Sequence, residues 1–164
     1  MQGIHQFDGF LLQLHNDTVD AIRTLGGELA SSWPSLHVFV HCAGITRDGF
    51  LARMSDEDWD AVLSVNLRGT FLMTRSASKL MIKQRGGVIV NIIDVHSSHP
   101  LRDHPVYGPA KAGLAMLTRS LAKDLAPDVR VNGVSPGAIL WPEGDMSEET
   151  KASIIDEVPL ERAG

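Results

Sequence analysis

Gly86-Gly87-Val88-Ile89-Val90-Asn91-Ile92-Ile93-Asp94 is the stretch whose reading decides the fold. Two glycines interrupt whatever helix precedes them. They release a nearly unbroken apolar run, rich in β-branched residues, that ends on an acid. A strand with one wet face alternates apolar and polar residues, whereas a short continuous run suits a strand buried on both faces of a parallel sheet. Two other runs have the same character. One is LHVFV at residues 36–40; the other is VRVNGV at residues 129–134, preceded by Pro127 and followed by Pro136-Gly137.

Helical patterns fill the intervals. Ser55 followed by Asp58 reads as an N-cap with an acidic first turn, and Trp59, Val62, Leu63 and Leu67 then recur at helical spacing. After Tyr107, the residues Leu114, Leu117, Leu121 and Leu125 mark one stripe of a second helix. A third is expected at residues 18–29, weakened by Gly26-Gly27. Strands alternating with helices predict an α/β fold, a doubly wound parallel sheet. Right-handed crossovers would place helices on both faces of it. Ligands in such sheets bind beyond the carboxyl ends of the strands, so the loops after Val40, Ile93 and Val134 are the ones to inspect.

The 164 residues suffice for one domain, taken as 1–164, with 43% apolar and 21% charged residues. A net charge of -5 argues against nucleic acid as a partner, since a polyanion needs a basic face. The lone Cys42 rules out an internal disulfide and suits a reducing compartment. No apolar run approaches the roughly 20 residues of a membrane span, and residues 1–13 do not read as a secretion signal, so a cytoplasmic setting without membrane contact is expected.

The first of the three loops reads His41-Cys42-Ala43-Gly44, whose small residues permit a ligand to approach backbone; an ordinary tight turn would look the same. The second opens on Asp94, with Tyr107 thirteen residues on and Lys111 four beyond that. Tyr107 and Lys111 share a helix face. A nearby ammonium lowers a phenol's pKa from about 10 and suits it to proton transfer, although many solvated helix faces carry such a pair. The third loop, Ser135-Pro136-Gly137, is common punctuation. Asn66, between Leu63 and Leu67, either lies on the surface or pries its helix open locally.

The order and spacing of these features carry more than any one of them. Ala43-Gly44, Asn66 in VNLRGTF, Val90-Asn91-Ile92 with Asp94, Tyr107-x-x-x-Lys111, Arg130-Val131-Asn132 and Pro136-Gly137 together resemble the short-chain dehydrogenase/reductase family, from about Leu36 onward. The resemblance implies a Rossmann-like sheet and an oxidoreductase using NADPH, with NADH as the alternative. It implies Tyr107 as proton donor and Lys111 as the residue that lowers its pKa and holds the nicotinamide ribose. Asp94 stands where the family's substrate-orienting Ser stands, and Asn66 helps seat a water linking Lys111 to solvent. Ala43, Gly44, Pro136, Gly137 and Ile139 would line the cofactor, beside Tyr107 and Lys111. A small-molecule substrate follows, as does a homo-oligomer, dimer or tetramer, formed through the helices after Ser55 and Tyr107.

Two branches compete. CAGITRDGF at residues 42–50 and the following MSDEDWDAVLSVNLRGTF resemble 3-oxoacyl-acyl-carrier-protein reductases and a related hydroxysteroid dehydrogenase. Residues 92–125 and PGAILWPE at residues 136–143 resemble bacterial pteridine reductases of the dihydromonapterin or dihydrofolate type, which also carry Asp in an Asp-x-His context, here Asp94-Val95-His96. That tips the expectation toward pteridine reductase. Against it, the pterin-stacking aromatic of those enzymes falls near Thr46, with Phe50 as the available substitute, and Cys42 replaces the usual Asn.

The family's opening Gly-rich turn, T-G-x-x-x-G-x-G in kind, is not found in these residues; FLLQLHNDTVDAIRTL resembles the third strand and its helix. The sheet is therefore expected to be incomplete at both ends, with an exposed apolar edge at residues 37–40. The chain alone is expected to bind nicotinamide cofactor weakly. An idle chain kept for oligomerisation is the alternative of another class.

Overall fold

The structure, a computed structural model, describes residues 18–139 and 147–164. The strand expected near Phe10 and Leu14 and the end of PGAILWPE lie outside the described residues.

All three apolar runs are strands, and all pair in parallel: β1 (Val38–His41), β2 (Gly87–Ile92) and β3 (Val129–Val134), in the order β1-β2-β3. Val40 faces Val90, and Val90 faces Asn132. Leu36 falls before β1 yet is buried, its backbone N and O both bonded to the Gln84 side chain at 3.0 and 2.8 Å.

The first helix, α1 (Thr18–Ser32), runs through Gly26-Gly27 rather than weakening there. A Cβ at Gly26 would lie 2.4 Å from Ser76 Oγ, so glycine is what lets α1 lie close against its neighbour. The next helical stretch is continuous from Asp56 to Lys83 in three parts: α2 (Asp56–Leu63), a π-helical turn (Ser64–Gly69) and α3 (Thr70–Lys83). Ser55 caps α2 as expected. Its hydroxyl accepts from Asp58 N at 3.1 Å while the Asp58 carboxylate accepts from Ser55 N, a reciprocal capping box. The stripe after Tyr107 is α4 (Tyr107–Asp124), and α5 (Glu148–Asp156) follows β3.

One expectation is corrected. Among the described residues the packed helices cover one face of the sheet, not both. Phe39, Ile89, Val129 and Val131 form one core with Leu25 of α1, Leu72, Met73, Ala77 and Met81 of α3, and Leu121 of α4. The intervening residues face the other way: Val38, Val40 and Val134 are 46%, 50% and 48% exposed. The reason is alternation: successive strand side chains point to opposite sides, and only one set has helices to meet. Among the described residues β1 is the outer strand of the three, with Val38 and Val40 exposed. No described helix is long and apolar enough to cross a membrane.

Candidate active site

Strand ends and one helix start converge beyond β2. Asp94 leaves the strand and caps a single 3-10 turn (Val95–Ser97), its Oδ1 accepting from His96 N at 2.9 Å. That bond fixes the carboxyl group and leaves Oδ2 free to face α4. Tyr107 is the first residue of α4, and its hydroxyl donates to Asp94 Oδ2 at 2.7 Å. Lys111, one turn further on, is 5% exposed; its Nζ donates to Ile92 O at 3.0 Å and lies 5.7 Å from the centre of the Tyr107 ring.

Asn66 does pry its helix open. It is fully buried in the π-helical turn, where its Oδ1 accepts from Ile45 N and its Nδ2 donates to Ile45 O, both at 2.8 Å. Two bonds to the backbone of one residue pin the loop after β1. The helix adapts to this: the Asn66 carbonyl accepts from Thr70 Oγ1 at 3.1 Å. Gly44 lies in the same corner, where an added Cβ would stand 3.4 Å from Asn66 Oδ1 and 3.6 Å from Lys111 Nζ. A side chain there would fill a cradle whose walls are Asn66 and Lys111. On the opposite rim Val95 N donates to Pro136 O at 3.2 Å, which brings the third loop alongside the second, and Gly137 follows. Ile139 is 47% exposed, and the backbone of its neighbour Ala138 accepts from Gly164 N at 3.0 Å.

The electrostatics correct one expectation. Lys111 was expected to lower the Tyr107 pKa. Instead the phenol is held well above its ordinary value. Burial is the largest cause, followed by the hydrogen bond to Asp94 and then the charges of Asp94 and Asp48. An anion that accepts a hydrogen bond from the phenol stabilises its neutral form and opposes ionisation. Lys111 is itself pulled below its ordinary value by burial, against the opposing pull of Asp94 and Cys42. In this geometry Tyr107 keeps its proton and can serve as an acid.

Residues 5–153 match the profile of the short chain dehydrogenase family. The chain belongs to that family. The match begins well before Leu36, so the likeness is longer than the motifs alone suggested, and it takes in the opening residues read as a third strand. Curated short-chain relatives agree. The 3-oxoacyl-acyl-carrier-protein reductase of Staphylococcus aureus is 36% identical over 159 residues, covering 96% of this chain and 65% of that protein. The Aquifex aeolicus and Thermotoga maritima enzymes of the same name are 48% identical over 150 residues and 39% over 147, each covering 88% of this chain. The chain spans 59–65% of the length of these relatives. Their name is that of the competing branch, not of the pteridine reductases toward which Asp94 and residues 136–143 tip the sequence.

Two members of this short-chain site carried no assigned role in the sequence reading. His41, at the end of β1, is 6% exposed, with Nδ1 3.2 Å from Thr70 Oγ1; burial, then the nearby Lys111 charge, lower its pKa to about 4. His104, three residues before Tyr107, meets Asp48 of the loop after β1 with Nε2 2.9 Å from Oδ1. Periodicity has no means of flagging either. The only available signal was position: His41 ends a strand run, and His104 closely precedes Tyr107.

Proposed function

We propose that this chain carries the proton-handling part of an NADPH-dependent short-chain reductase acting on a small molecule in the cytoplasm. The observation that carries the reading is the 2.7 Å bond from the Tyr107 hydroxyl to Asp94, at the carboxyl end of a parallel strand and one helical turn from Lys111.

The nicotinamide supplies hydride when bound. The Gly44 cradle against Lys111 fits the ribose end of such a group, and Ala43, Gly44, Tyr107, Lys111, Pro136, Gly137 and Ile139 would hold it. Tyr107 holds a proton and gives it to the substrate atom on which negative charge develops. Asp94 aims the phenol and keeps it protonated. Lys111 uses one donor on Ile92 O and has two more for a sugar hydroxyl. Asn66 fixes the loop that forms the cradle floor, in keeping with a role in seating a water near Lys111.

Asp94 bears on the substrate. A carboxylate oxygen accepts hydrogen bonds, so it matches a ring bearing N–H groups beside a reducible C=N, as in a dihydropterin. Phe50 is the aromatic on the neighbouring loop. The second reading, a 3-oxoacyl thioester or other carbonyl substrate, is favoured by the names of the relatives. A second copy of the chain would pack through α2 to α4, where Trp59, Phe71 and Met116 are 48%, 41% and 58% exposed beside Leu63, Leu67 and Leu117.

The test is NADPH oxidation by purified protein with a dihydropterin and with a 3-oxoacyl thioester. Where turnover is present, in this chain or in a longer relative, Tyr107→Phe should lower it by about 10² to 10⁴ with the fold intact. Faster turnover of the thioester sinks the pteridine reading. Near-full rate in the Phe variant sinks Tyr107 as the donor. No turnover and no saturable cofactor binding leave the oligomerisation role.

A further inference from the structure

The loop after β1 and the segment leading into α4 are joined at two points. Gly49 N donates to Asp103 O at 2.7 Å, and His104 Nε2 lies 2.9 Å from Asp48 Oδ1. Asp103, whose carbonyl is the acceptor, has φ 60°, a left-handed conformation in which Asp is several-fold enriched among non-glycine residues. The other nitrogen of His104, Nδ1, lies 2.8 Å from Arg102 O. Both ring nitrogens therefore face acceptors. A neutral imidazole has one N–H, so only the doubly protonated ring satisfies both. The ring also stands edge-on to Tyr107, with centroids 6.2 Å apart at 72°. Asp48 accepts a further bond from Thr46 Oγ1, and its charge is one of those that hold the phenol above its ordinary value.

We propose that His104 is a positioning residue: as an imidazolium it clamps Asp48, and with it the loop after β1, against the segment that leads into Tyr107, and so shapes the wall beside the phenol. The charged and titratable groups around it are Asp48 on the loop after β1, Arg102 and Asp103 on its own segment, paired at 3.8 Å, and Tyr107 on α4 with its partner Asp94. Asp48 is answered by the imidazolium; Arg102 is turned to solvent, its side chain 96% exposed. That the wall faces a substrate rests on the proposed function. The clamp itself does not.

The Gly49 amide reports on the joint directly. Its hydrogen exchange is measured in the intact chain and in three variants under one set of conditions. Loss of the clamp is expected to lower protection roughly tenfold or more, the effect of one charge-assisted hydrogen bond. His104→Gln should show that lower protection, as should Asp48→Asn, whose side chain is half exposed and whose replacement leaves the core untouched. His104→Lys, which keeps a cationic donor, should retain the parent's protection. Parent-like protection in either His104→Gln or Asp48→Asn overturns the clamp. Where reductase turnover is present, His104→Gln should raise KM more than it lowers kcat. If neither substrate class is turned over, the reductase reading fails while the exchange data still decide the clamp.

Discussion

Replacing Asp94 with Asn should lower the pKa of Tyr107. The phenol donates to Asp94 Oδ2 at 2.7 Å, so ionising it loses that bond and sets two negative groups in contact. Two unit charges about 4 Å apart interact by about 4 kcal/mol at an effective dielectric near 20, which bounds the effect at about 3 pKa units. Tyr107 is partly exposed, so solvent screening pulls the effect toward the value of one charge-assisted bond, about 1.5–3 kcal/mol or roughly 1 to 2 units. Asn keeps an acceptor at nearly the same place, so geometry is preserved while charge is removed. The assay is simple because Tyr107 is the chain's one tyrosine: phenolate absorbance against pH reads this residue alone. Circular dichroism in parallel separates titration from unfolding. The Asn variant should titrate at least about one unit lower than the parent, yet still above the ordinary phenol value near 10, because burial remains. An unchanged or higher midpoint in a folded Asn variant would falsify the account of the phenol. There is a stability corollary. A phenol whose pKa is raised in the folded state stabilises the fold below the unfolded value, and that stability drains away as pH rises beyond about 10. Asp94→Asn should flatten the alkaline loss.

Three further outcomes are expected. His41 has its pKa lowered from 6.5 to about 4, so the unfolded chain binds the proton first; stability is full above about pH 6.5 and is lost as pH falls toward 4, by on the order of 3 kcal/mol. Denaturant melts across that range should show the loss in the parent and little of it in His41→Asn; an equal loss in both would trace the acid sensitivity to other groups. Asn66→Ala leaves both polar groups of Ile45 without their partner and should cost about 2 to 4 kcal/mol in urea unfolding, whereas a loss under about 1 kcal/mol would show that the π-helical turn simply reverts to α-helix. Calorimetric titration with NADPH and NADH should give weak binding, since these residues hold no T-G-x-x-x-G-x-G turn to meet the pyrophosphate; stoichiometric binding at about micromolar affinity would mean that a phosphate site is built from residues not recognised as one.

The strands were legible because short, nearly continuous apolar runs rich in β-branched residues, bounded by glycine and proline, favour strands, and residues 36–40, 86–94 and 129–134 have that character with little else competing, although only one of their faces is covered by described helices. The Ser55–Asp58 box and the leucine stripe of α4 were legible for a related reason, since capping and 3.6-residue periodicity are local. The coincidence of Asp94, Tyr107 and Lys111 could be anticipated because two of them are one helical turn apart and the third ends a strand that a parallel sheet must bring to the same side. Tertiary structure decided the rest. Which way the Tyr107 pKa moves depends on burial and on whether Asp94 or Lys111 is nearer the hydroxyl, and helical spacing specifies neither. Asn66 became a double hydrogen-bond partner of Ile45, 21 residues away in sequence, only because the loop after β1 lies beside the π-helical turn. His41 and His104 entered the site through Thr70 and Asp48, contacts that close over long loops and leave no periodic trace. The one-sided packing of the sheet has the same origin. Alternation along a strand dictates that there are two faces, but which of them meets α1, α3 and α4 is set by the direction of the crossovers in three dimensions.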